Sequence, residues 1–101
     1  MDRDIQKYMV EFDLPVSFDS EIADILDEQK QTLSEYFYEG KVFSSTISKD
    51  LSRMWMVMIA DSESELISII DSLPISRYCE YNYKELMIHN AVQYIPSHSL
   101  N

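Results

Sequence analysis

Glu11 stands in the run Val10-Glu11-Phe12-Asp13-Leu14-Pro15, a carboxylate with apolar neighbours on both sides. A carboxylate held in a semi-closed apolar cavity has a raised pKa, which suits a general base working near neutral pH. The plainer alternative is a carboxylate paired with Arg53, Arg77 or Lys41, or one lying at a cavity rim; the sequence leaves both open. Trp55 belongs to an unbroken apolar run, Met54-Trp55-Met56-Val57-Met58-Ile59-Ala60. Its indole can stack a planar ligand, or it can be packed in the core of a dimer. Met54, Met56 and Met58 offer soft thioether sulfurs, but their alternation fits packing against helices better than a metal site. Cys79, His89 and His98 lack zinc-ligand spacing, and Cys79 has no base beside it in sequence, so neither a metal centre nor thiol catalysis is expected. Gly40 is the only glycine, so the chain has no glycine-rich phosphate loop and no nucleotide cofactor is expected.

The elements that must position these groups are legible from periodicity. Residues 5–14 alternate: Tyr8, Val10, Phe12 and Leu14 point one way, Lys7, Met9, Glu11 and Asp13 the other, as in a strand ended by Pro15. Asp19 or Ser20 can cap a helix over 20–39 with Glu21 in its first turn. Ile22, Ile25, Leu26, Leu33 and Phe37 make its apolar stripe, interrupted by Gln29, and Gly40 supplies a left-handed terminating residue. Residues 42–48 read as a weak, polar edge strand, Lys49-Asp50-Leu51-Ser52 as a turn, and the apolar run from Met54 as a central strand. Ser62-Glu63-Ser64-Glu65 is a capping box, opening a helix that buries Leu66, Ile69, Ile70 and Leu73 and stops at Pro74. A last strand is expected over 77–87, carrying Tyr78, Tyr81 and Tyr83, with Tyr81 and Tyr83 on the core side. The order β-α-β-β-α-β predicts an α+β, ferredoxin-like βαββαβ fold: a four-stranded antiparallel sheet with two helices on one face. Residues 1–89 form that single domain and 90–101 a polar C-terminal tail.

Two helices cover one side of such a sheet, yet the third strand is apolar on both, with Trp55, Val57 and Ile59 opposite the methionines. Left in water, that surface is a contiguous apolar patch. A second copy covering it, in a dimeric α/β-barrel type of association with a closed cavity between the sheets, accounts for the pattern. The tail residues Val92, Tyr94 and Ile95 folding over the same face are the alternative. Length and charge bound the rest. The chain has 101 residues, 46% of them hydrophobic, and a formal net charge of −10. It is the size of one domain and too apolar for a disordered tail. A pI near 4.4 argues against a nucleic-acid partner, which needs cations to displace counterions, and against an anionic membrane surface. Asp24, Asp27, Glu28 and Glu35 read as a solvated helix face, or less specifically as a surface for a basic partner. One cysteine and an acidic start without an apolar stretch behind it make a cytoplasmic protein the expectation.

Val10-Glu11-Phe12-Asp13-Leu14-Pro15, Gly40-Lys41, Ser72-Leu73-Pro74 with Tyr78, and the stretch 86–89 occur in an order and spacing that resemble the muconolactone isomerase family. The similarity runs from about Tyr8 to His89 and rests on colinearity, each motif being short. It implies a ferredoxin-like subunit forming dimers or larger assemblies of dimers, and cofactor-independent proton transfer on a small cyclic unsaturated acid or lactone. Glu11 matches the family's first-strand glutamate and would abstract a proton next to a carbonyl. Tyr78 or Lys41 would stabilise the enolate. His89 would assist the return of the proton. Arg53 and Trp55 join Lys41 as substrate-binding candidates. The sequence departs from the family on the second strand: basic, His and Trp residues give way to Val42-Phe43-Ser44-Ser45-Thr46-Ile47, which carries no charge to meet a substrate carboxylate. The rival expectation is a non-catalytic dimeric module of the same fold that binds a small molecule or another protein.

Overall fold

A computed structural model describes residues 6–15 and 22–87. The elements are β1 (Gln6–Asp13), α1 (Ile22–Glu39), β2 (Val42–Ile47), β3 (Arg53–Ala60), α2 (Glu63–Ser72), a 3-10 turn (Pro74–Arg77) and β4 (Glu80–Leu86). The strands form one antiparallel sheet in the order β2-β3-β1-β4, with the most apolar strand inside and the most polar at an edge, as the composition of each predicts. The fold is the expected ferredoxin-like βαββαβ arrangement.

Period-2 alternation sets the faces. Tyr8, Val10, Phe12 and Leu14 from β1 and its end, and Met54, Met56, Met58 and Ala60 from β3, join Ile25, Leu66, Ile69, Ile70 and Leu73 in one buried cluster. Tyr81 and Tyr83 of β4 border it, with the Tyr83 ring edge-on to Tyr8 at 5.9 Å and the Tyr81 ring 5.8 Å from Phe12.

α1 departs from its expected stripe in two places. Its inward face runs through Ile25, Gln29, Leu33 and Tyr36, whereas Phe37 is 44% exposed. Gln29 therefore does not interrupt the stripe. It is buried, and its Oε1 accepts the backbone N–H of Ile75 at 3.0 Å, a donor that would otherwise be stranded in the core. The Ile22 side chain and the capping candidates Asp19, Ser20 and Glu21 lie outside what is described. At the other end, Gly40 has φ +78. The Gly40 N–H donates to the Phe37 carbonyl at 3.2 Å and the Lys41 N–H to the Tyr36 carbonyl at 2.9 Å, the paired bonds of a Schellman ending.

The capping box of α2 forms: the Glu65 N–H donates to Ser62 Oγ at 3.1 Å, while the Glu65 carboxylate accepts from the Asp61 N–H at 2.7 Å, one residue ahead of the cap. The last strand begins later than expected. Pro74 opens a 3-10 turn in which the Ser76 N–H bonds the Leu73 carbonyl and the Tyr78 N–H that of Ile75, each at 3.0 Å. With those groups used locally, Arg77, Tyr78 and Cys79 do not enter the ladder, and β4 starts at Glu80.

Candidate functional site

The face opposite the helices carries the groups the sequence singles out. Register fixes their neighbours. Glu11 lies across from Trp55 of β3 and Asn82 of β4; Asp13 from Arg53 and Glu80; Met9 from Val57 and Lys84; Lys7 from Ile59 and Leu86. Ser44 and Thr46 of β2 complete the face beside Val57 and Trp55. Trp55, Ile59 and Met9 are partly covered and Val57 is buried, yet none of the four belongs to the helix-side core. The second apolar surface inferred from the sequence is therefore present, and neither helix covers it.

Glu11 is engaged. Its carboxylate accepts a hydrogen bond from Arg53 Nη1, which also lies 3.4 Å from Asp13 Oδ1. The three side chains are 29%, 48% and 53% exposed for Glu11, Arg53 and Asp13 respectively. The Glu11 bond, then the charges of Glu11 and Asp13, hold the Arg53 guanidinium above its ordinary pKa. So the structure joins two predicted site residues, Glu11 and Arg53, and sets Trp55 beside them.

Of the other candidates, Lys41 and Tyr78 are among the described residues. Lys41 follows the α1 ending, where its carbonyl accepts the Ile59 N–H at 2.9 Å and its Nζ lies 3.4 Å from Glu65 and 4.0 Å from Glu39. Glu11 lies across from Trp55, four residues before Ile59, which separates Lys41 from Glu11 by roughly 13 Å of strand. Tyr78, 44% exposed, borders an open pocket of about 490 Å³ between Asp13–Pro15 and Arg77–Glu80. Glu11 does not line that pocket. His89 and the tail residues Val92, Tyr94 and Ile95 lie outside the described residues. Cys79, in the same pocket, donates to the Ile75 carbonyl at 3.3 Å, and burial, helped by the Asp13 charge, pushes its thiol up to about 11. At neutral pH it is a protonated thiol, not a nucleophile. Among the described residues no three His, Cys, Asp or Glu side chains are grouped to hold a metal ion.

Four charged residues on this face were not singled out by sequence reasoning: Lys7, Asp13, Glu80 and Lys84. The alternation of β1 already places Lys7 and Asp13 with Glu11, and that of β4 places Glu80 and Lys84 opposite Tyr81 and Tyr83. The available signal was the sign of charge along each strand.

No protein-family model matches the chain, and no curated protein is significantly similar to it in sequence. Among solved structures it is similar to a dimeric ferredoxin-like protein from an uncultured marine organism, at a TM-score of 0.51 and 16% identity, over 89% of this chain and 93% of that one. At that identity the likeness is one of fold, and it does not single out the muconolactone isomerase family. No described helix is long and apolar enough to cross a membrane.

Proposed function

We propose that the chain is a self-associating ferredoxin-like module whose helix-free sheet face pairs with a second copy and binds a small, planar molecule beside Trp55. The observation that carries this reading is the face itself: Trp55, Val57, Ile59 and Met9 form an apolar surface that neither helix covers. The dimeric state of the similar marine protein supports the same reading. Polar groups for a ligand are at hand in the Ser44 and Thr46 hydroxyls on the strand next to Trp55.

The resemblance to muconolactone isomerase would add proton abstraction by Glu11. That chemistry needs an available carboxylate, with Tyr78 or Lys41 near enough to steady an enolate. Glu11 is instead bonded to Arg53, Tyr78 borders a pocket that Glu11 does not line, and Lys41 lies towards the far end of β3. Arg53, already between Glu11 and Asp13, also has little to offer a substrate carboxylate. Binding without proton transfer is the better-supported function.

Two measurements test it. Sedimentation equilibrium at micromolar concentration is expected to report a dimer, and a monomer would overturn the module. Deuterium exchange into muconolactone is expected to stay at background for the wild type. Exchange above background that disappears in Glu11→Gln would reinstate the isomerase.

A further inference from the structure

The helix-free face has a charge pattern with a direction. At one end stand the carboxylates of Glu11, Asp13 and Glu80, with Glu11 and Asp13 holding the cation Arg53. Towards the other end stand Lys7 and Lys84, with no carboxylate among the described residues in ion-pair contact with either. Lys7 and Asp13 are separated by about 20 Å along β1, and Lys84 and Glu80 by about 13 Å along β4. The two ends thus carry opposite net charge, and the face as a whole is formally neutral. The chain as a whole carries −10, none of it net on this face.

The pattern also has a second direction, across the strands. Every one of these charges except Arg53 sits on β1 or β4, whereas β2 and β3 present Ser44, Thr46, Trp55, Val57 and Ile59. A two-fold pairing of this face with itself has two aligned forms. With the axis parallel to the strands, acidic end meets acidic end and the charged half covers the uncharged half. With the axis across the strands, β1 and β4 lie over their own counterparts in reverse direction. The lysines of each copy then face the carboxylates of the other, while Trp55 approaches the partner's apolar half.

We infer that the second copy docks in this reversed orientation, Lys7 and Lys84 of each protomer meeting Glu11, Asp13 and Glu80 of its mate. The inference rests on the self-association proposed above and assigns its geometry. Strand lengths and spacing give the face an area of about 500 Å², against roughly 800 Å² per partner in a standard interface. Apolar burial of that size does not dictate orientation by itself, so charge complementarity decides it.

The test is a charge swap. One double variant carries Lys7→Glu and Lys84→Glu, the other Asp13→Lys and Glu80→Lys. Each alone is expected to dimerise at least about tenfold more weakly than the wild type. Mixed together, the two are expected to form a heterodimer in preference to either homodimer, read by native mass spectrometry. In the wild type, carbodiimide coupling of isotopically mixed protein is expected to join Lys7 or Lys84 of one copy to Asp13 or Glu80 of the other. This second measurement decides the matter even if a variant fails to fold. A monomeric wild type would overturn self-association itself. A wild-type dimer without these cross-links, or folded variants that dimerise normally and show no preference for each other, would overturn the orientation alone.

Discussion

Glu11 shows how one bond changes what a residue can do. As a bare carboxylate in an apolar strand it is a candidate base; bonded to Arg53 it is half of an ion pair that also holds Asp13. Surface pairs of this exposure contribute little to stability, so the consequence is chemical: the carboxylate's basic oxygen is already in use. Tyr83 makes a parallel case on the other face. Its hydroxyl donates to Glu63, and that bond, with burial next, lifts the phenol from its ordinary 10.0 to about 12. A raised folded-state pKa means that the protonated form is favoured by folding. The contribution is complete below pH 10.0 and is lost as the pH rises through about 12. In a spectrophotometric titration of the seven tyrosines, one is expected to ionise last, near pH 12, and Tyr83→Phe is expected to remove that step. An unchanged high-pH limb in the variant would place the step elsewhere.

Among the elements, α1 depends most visibly on a single residue. Gly40 holds a left-handed φ of +78, and a Cβ there would meet nothing within 4 Å. The cost of Gly40→Ala is therefore conformational, not steric crowding: about 1 kcal/mol, or about 5 °C in Tm for a domain of this size. Thermal unfolding followed by circular dichroism checks this, and a variant as stable as the wild type would show that the ending tolerates a side chain. The two sheet edges are protected differently. β2 is uncharged but carries a bulge between Val42 and Ser44, while β4 alternates its tyrosines with Glu80, Asn82 and Lys84. Edge-to-edge growth is thus discouraged on both sides, which leaves the helix-free face for the proposed association.

At the scale of the whole molecule, a chain of net charge −10 keeps one neutral, partly apolar face, and Trp55, the only tryptophan, lies on it. Its emission is consequently a direct report on the proposed pairing. Dilution through the dissociation constant is expected to shift the spectrum to the red as the indole gains water, with a midpoint that matches sedimentation. A spectrum independent of concentration, in a protein that sedimentation shows to dissociate, would place the interface on another surface. The sequence by itself determined the order of elements, which strands are central, which side chains of each strand share a face, the Gly40 ending and the Ser62–Glu65 cap. All of these are local: each follows from a period of two or 3.6 residues, or from a hydrogen bond spanning a few positions. Tertiary structure decided the contacts between residues far apart in the chain. Glu11 meets Arg53 42 positions away, and Gln29 meets the Ile75 amide 46 positions away. The same long-range geometry seated Lys41 beside Ile59, towards the far end of β3 from Arg53, whereas local 3-10 bonds after Pro74 delayed β4 to Glu80. Periodicity fixes the direction in which a side chain leaves its own backbone; strand register and the way the connections close fix what it meets there.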